Sequence, residues 1–294
     1  MQRVATSIIG VPIIVALIWL GGAWYSVALA FFLVVAALEF YAALAPAPAP
    51  ARGGPASGGN PTLIENPLAA ISPLRLPRLL NQRPLGLMGV AFVALLVAGA
   101  HHGGDWWAGA MALAAVLPFL WLTLTGDVDR ALGDWLTTVG GVLYIGWLGS
   151  HLEFLRQLDN GRDWVFLAVF ATFANDTSAY FVGHALGRTK LVPHISPGKT
   201  LEGSLGGLIF GALGLLLLNY ALGLRLDAAA IVPLAFLVPV AAQLGDLAES
   251  LIKRGAHVKD ASVVVPGHGG VLDRLDSVLF VAPVVYYYAI WVVL

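Results

Sequence analysis

GDLAESLIKRGAHVKDASVVVPGHGGVLDRLDSVLF, residues 245–280, gathers Asp246, Glu249, Lys253, Arg254, Lys259, Asp260, Asp273, Arg274 and Asp276 into one stretch. The segments around it are Leu, Val, Ala and Phe. Over the whole chain 59% of residues are hydrophobic and 11% are charged, against about 25% charged in a soluble domain. The stretch is therefore a charged island in an integral membrane protein, and the reading of the fold turns on how it sits among spanning helices. The chain has no cysteine, which excludes disulfides, thiolate metal sites and cysteine nucleophiles. Chemistry has to come from carboxylates, amines, hydroxyls or imidazoles. A net charge of -1 gives no footprint for nucleic acid, and no such partner is expected; where the charges sit is the informative quantity.

Runs of about 20 apolar residues cross a bilayer as helices, because hydrocarbon offers the backbone no other hydrogen-bond partner. Nine runs qualify, near 4–21, 23–44, 85–101, 106–125, 135–154, 164–183, 203–224, 228–250 and 274–294. The first has the Arg3 and short apolar run of a secretory signal. Another apolar run follows at once, with no small-residue cleavage site between them, so a retained helix is expected. With the N-terminus in the cytoplasm, 13 of the 16 Lys and Arg residues fall on inner segments and only Arg156, Arg162 and Arg225 on outer ones, as the positive-inside rule requires. The expected class is an all-α polytopic membrane protein in the cell's inner membrane. It divides into N-terminal helices (1–44), a Pro/Ala/Gly-rich cytoplasmic insert (45–84), middle helices (85–163) and a C-terminal helical region (164–294) that holds the charged island. The insert has too little apolar surface to fold and is expected to be flexible.

An ionisable side chain at the centre of a spanning helix costs roughly 2.5–3.5 kcal/mol on insertion scales. Several gathered at one face call for partners or a function. Asn175 and Asp176 lie towards the inner end of the sixth run, Asp246 and Glu249 near the inner end of the eighth, and Asp273 and Asp276 at the start of the ninth. Asp246, Glu249 and Lys253 are three and four residues apart and share a helix face, as do Asp273 and Asp276. Acidic groups from two helix ends, with Lys and Arg nearby, suit a divalent cation with oxygen ligands. Magnesium takes few carboxylates and fills its shell from water and substrate phosphates.

Other features read more plainly. Glu39 is expected as a paired or snorkelling residue, Arg188, Lys190 and Arg254 as topology determinants, and His268 of PGHGG as a turn residue. No role is assigned to His101 or His102. HISPGKTLEG, residues 194–203, contains GKT but is no P-loop, since that motif needs a glycine at position 193, which is proline. What survives is a Pro/Gly turn presenting Ser196, Lys199 and Thr200 before a helix start, where backbone N–H groups can hold phosphate oxygens.

Ser250, Lys253, Arg254, Lys259, Asp260, Pro266, His268, Gly269, Gly270, Asp273, Arg274 and Asp276 stand at the spacings of one known signature. In this the chain resembles the phosphatidate cytidylyltransferase (CDP-diacylglycerol synthase) family, strongly over residues 165–294 and through hydropathy alone before that. GDLAES and the segment NDTSAYFVGHALGRTKLVPHISPGKTLEG, residues 175–203, resemble family segments too. The resemblance implies conversion of CTP and phosphatidate to CDP-diacylglycerol and pyrophosphate, in a homodimer, with Mg2+ and a second cation such as K+ sharing the site. It implies Asp246 and Asp273 as metal-binding carboxylates, acting with Lys253 and Asp276 as the catalytic group. Arg254 and Lys259 are implied as nucleotide or phosphate contacts. The expected substrate-binding set is completed by Asn175, Asp176, Ser196, Lys199, Thr200, Glu249, Ser250, Asp260, His268, Gly269, Gly270 and Arg274. The main rival is an ion- or proton-coupled transporter using Asp176, Asp246 and Asp273. A CDP-alcohol phosphotransferase is disfavoured because its spaced Asp pattern is missing.

Overall fold

The computed structural model describes residues 2–44, 84–125, 128–256, 258 and 269–294. The order of elements is α1 (Gln2–Leu20), α2 (Gly22–Leu44), α3 (Pro84–His102), α4 (Gly104–Thr125) and α5 (Val128–Gly141). A π-helical stretch, Val142–Trp147, leads into α6 (Leu148–Gln157) and α7 (Gly161–Leu186). Then come β1 (Lys190–Val192), β2 (Ser196–Thr200), α8 (Leu201–Leu222), α9 (Ala228–Gly255) and α10 (Leu272–Tyr288), which ends in a second π-helical stretch, Ala289–Val293. The chain is a polytopic helical membrane protein. Nearly the whole insert, residues 45–83, lies outside the described residues.

Among the described residues seven helices are long and apolar enough to cross a membrane: α2, α4, α7, α8, α9, Leu85–His102 of α3, and α10 with its π-helical extension. Two of the nine expected runs differ. In the first, the described apolar helix is the shorter piece Gly10–Leu20. The run at 135–154 is divided among α5, the π-helical stretch and α6, where Thr137, Thr138, Ser150, His151 and Glu153 interrupt the apolar sequence. The all-α expectation also omits one small element. β1 and β2 pair antiparallel, Lys190 opposite Thr200 and Val192 opposite Ser196, so Pro197 and Gly198, expected in a turn, lie in strand β2 and the hairpin turns at residues 193–195.

The core forms where α2, α7, α9 and α10 meet. Leu33, Ala36 and Ala37 of α2, Leu167, Ala168 and Ala171 of α7, Leu234 and Val238 of α9, and Leu279 and Ala282 of α10 are all fully buried. Lipid is as apolar as leucine, so helices associate in a membrane by close packing, which small residues allow. Gly203, Gly207 and Gly211, four apart on α8, press against α7. A Cβ on Gly203 would stand 2.8 Å from Ala179 O, and one on Gly207 2.8 Å from Asn175 Oδ1. The same holds between α9 and α10, where a Cβ on Gly245 would stand 2.5 Å from Asp276 O. These contacts fix the height at which Asn175, Asp246 and Asp276 face one another. Around the outside of the helices Trp24, Phe31, Leu124, Leu217 and Trp291 are exposed, as a lipid-facing perimeter requires.

Candidate active site

Four helix ends meet at one face of the bundle. Gly183 near the end of α7 packs on Thr200 and Gly203 at the start of α8. Lys253 near the end of α9 reaches Asp273 in the first turn of α10. The hairpin is tied to the same place by Arg254, whose Nε donates to Ile195 O at 3.1 Å. Thr200 caps α8, its hydroxyl accepting from Gly203 N at 3.2 Å, which satisfies one of the unpaired donors of a helix start.

Across the gap between α9 and α10 the carboxylates crowd together. One oxygen each from Asp246, Glu249 and Asp276 lies within 4.8 Å of the others, and Glu249 and Asp276 are only 1% and 8% exposed. At an effective dielectric of 20, two unit charges about 4 Å apart interact by about 4 kcal/mol, so this grouping repels itself unless cations answer it. Two lysines do so at its edges. Lys253 Nζ donates to Glu249 Oε2 at 2.8 Å and Asp273 Oδ1 at 2.7 Å, and Lys199 Nζ lies 2.8 Å from Asp246 Oδ2. The remaining Glu249 oxygen, Oε1, is buried with no hydrogen-bond partner. A desolvated carboxylate oxygen left without a donor is costly, and together with the all-oxygen donor set it fits a hard divalent cation.

The sequence expectation joins Asp246 to Asp273, whereas the closest grouping joins Asp246 to Glu249 and Asp276. The difference is one helical turn. Asp276 lies where Gly245 lets α9 approach, while Asp273, in the first turn, accepts from Gly270 N at 2.7 Å and pairs with Lys253. Asp246 belongs to both sets, and Lys253 links Asp273 to the rest.

Beside the grouping opens a cavity of about 610 Å3, to which Asn175, Asp176, Ser196, Lys199, Thr200 and Asp246 all contribute. One wall is an amide network that joins the expected Asn175 and Asp176 to Gln243 and Ser204, which the sequence reading did not single out. Gln243 Nε2 donates to Asn175 Oδ1 at 3.1 Å and Ser204 O at 2.9 Å, Ser204 Oγ donates to Gln243 Oε1, and Asn175 Nδ2 donates to Asp176 Oδ1 at 2.9 Å. At the mouth the rings of Tyr180 and His184, one turn apart on α7, lie stacked with centroids 6.1 Å apart and planes 9° apart.

Other expected residues stand apart from this cavity. Arg274 faces a second, apolar cavity, Arg254 holds the hairpin, and Ser250 is half-buried on α9 beyond Glu249. Gly269 has φ +83°, a left-handed conformation that favours glycine. Gly270 has no room for a side chain, since a Cβ there would meet Glu39 Oε2 at 2.6 Å. Glu39 was expected as a paired residue and is one: its carboxylate accepts from Val271 N at 3.0 Å and Leu272 N at 2.8 Å, capping α10 from another helix. Lys259, Asp260 and His268 lie outside the described residues.

Fold and site together define a helical membrane protein with a lysine-bridged, acid-rich polar site at one end of its bundle. The chain belongs to the cytidylyltransferase family, whose model matches residues 1–292. It is 32% identical to the phosphatidate cytidylyltransferase of Synechocystis sp. over 98% of this chain and 96% of that one. It is 40% identical to the phosphatidate cytidylyltransferase of Bacillus subtilis over 49% of this chain and 54% of that one. The enzyme of the same name from Staphylococcus haemolyticus is 29% identical over 77% of this chain and 88% of its own.

Proposed function

We propose that this protein transfers the cytidylyl group of CTP to phosphatidate, giving CDP-diacylglycerol and pyrophosphate. The observation that carries the reading is the meeting of Asp246, Glu249 and Asp276 beside a Lys199-lined cavity. A phosphate oxygen of phosphatidate attacks the α-phosphorus of CTP, forming a new P–O bond as the bond from that phosphorus to the pyrophosphate oxygen breaks. The attacking phosphomonoester has a second pKa of about 6 by analogy with phosphorylated side chains, so it arrives largely ionised and no general base is required. The obstacle is repulsion between anions, and positioning plus charge neutralisation answer it. Lys199 and the backbone N–H groups at the start of α8 hold triphosphate oxygens, Lys253 orients Asp273 and Glu249, and the Tyr180–His184 face and the Gln243 network lie where the nucleoside enters.

Asp246, with Glu249 and the α10 carboxylates Asp276 and Asp273, would hold Mg2+, and a second cation such as K+ would share the site. Bound there, the divalent ion supplies neutralisation of phosphate oxygens and of the departing pyrophosphate. In this reading nine segments cross the inner membrane, the N-terminus and the site face the cytoplasm where CTP is found, and two copies form a homodimer. The relatives named above favour synthesis over ion-coupled transport. Labelled CTP incubated with purified protein, phosphatidate and Mg2+ should move label into the organic phase. Label remaining in the aqueous phase, with phosphatidate present, would refute the reaction.

A further inference from the structure

A second cavity, of about 430 Å3, runs between α1, α2, α7 and the start of α10. Among the described residues that line it, Arg274 is the single charged side chain. The hydroxyl of Tyr25, also in the wall, donates to Leu152 O at 3.1 Å. The rest is aliphatic or aromatic. The slot has a direction. Arg274 stands at one end, three residues after Val271, whose N–H reaches Glu39 of α2, and Tyr25, nearly four turns earlier on α2, marks the other end with Leu152.

The arginine end adjoins the acid-rich site. Asp273 precedes Arg274 and Asp276 follows within the same turn. Asp176, which lines the polar cavity, lies within electrostatic reach of both Arg274 and Asp246. One charged head beside phosphate chemistry, continued by an apolar slot that crosses much of the bundle, is complementary to an anionic amphiphile. Guanidinium is also the side chain best shaped for phosphate oxygens.

We propose that this slot holds an acyl chain of the phosphatidate substrate, with Arg274 fixing the lipid phosphate at the edge of the acidic site. Nucleotide and lipid then reach the carboxylates from two different cavities. The identity of the lipid rests on the reaction proposed above; the slot and its polarity do not. Burying a tail here gains little free energy, because the bilayer is equally apolar. The slot therefore selects and positions the lipid, and its signature is chain-length discrimination.

The test fills the slot without touching the polar site. Gly10 lines it, and a Cβ there would have no atom within 4 Å; Ala28 lines it from α2. Gly10→Phe and Ala28→Trp are each assayed with CTP on a long-chain and a short-chain phosphatidate in mixed micelles. The expected result is a loss of about tenfold or more on the long-chain lipid, the scale of a misfit in an apolar pocket, with short-chain turnover and the KM for CTP unchanged. Arg274→Gln should raise the KM for both lipids and leave that for CTP alone. Equal loss on both chain lengths, as a structural lipid or a second copy seated in the slot would give, overturns the proposal, and so does no loss on either. Wild-type protein inactive on every phosphatidate would instead sink the reaction itself.

Discussion

Glu39 on α2 and Glu249 on α9 are both buried, at 0% and 1% exposure, yet they meet opposite surroundings. The two oxygens of Glu39 accept from Val271 and Leu272 N–H. Its charge rests on the positive end of the α10 dipole and in two backbone hydrogen bonds that α10 would otherwise lack. Glu249 gives one oxygen to Lys253 and leaves the other unpartnered, with Asp246 and Asp276 close by. A buried carboxylate that caps a helix is structural, and one crowded against its own kind is, under the proposed reaction, the one that would face a cation. The two glutamates thus separate the residues that build the site from those that work in it.

The contrast is most easily broken at the working end. Asp246→Asn and Asp273→Asn should each lower turnover by about a hundredfold or more, the scale of removing one group that stabilises charge in the transition state, with membrane insertion intact. Glu249→Gln should be nearly as damaging to turnover with the midpoint little changed, since relief of a buried like-charge contact is offset by the loss of one of Lys253's two carboxylate partners. Detergent-solubilised protein assayed for turnover and thermal unfolding checks all three; near-normal turnover in both aspartate variants would refute their assignment. At the building end the order reverses. Glu39→Ala should cost about 1–2 kcal/mol as a lost helix cap, seen as a lower midpoint, with a smaller effect on turnover through the displaced start of α10. Smallest of all, deletion within residues 46–66 should leave midpoint and turnover unchanged, and loss of folding would contradict the disorder-like reading of the insert.

Much of this arrangement is written locally in the sequence. Apolar runs near 20 residues mark the spans, and spacings of three and four place Asp246, Glu249 and Lys253 on one face. The alternation of helices brings the end of α9 to the start of α10, where Lys253 meets Asp273. What escaped the sequence depends on how helices are rotated against one another. The Glu39 cap joins residues 232 and 233 positions apart, and nothing near Glu39 marks it as a cap. Gln243 reads as one polar residue in an apolar run until Gly207 lets α8 approach it and Asn175. The glycine at 207 was the available signal. The run at 135–154 reads as a continuous span because average hydropathy does not register a π-helical break. Which α10 carboxylate lies nearest Asp246 is a matter of one turn, and periodicity alone places Asp273 and Asp276 on the same face.

The most direct measurement replaces Mg2+ with Mn2+ in crystals of the protein bound to CTP and locates the metal by anomalous scattering. The expected peak lies within coordination distance of Asp246 and at least one of the α10 carboxylates, Asp276 or Asp273. A peak carried by the nucleotide alone, away from both helix ends, would contradict the central claim that α9 and α10 together hold the cation.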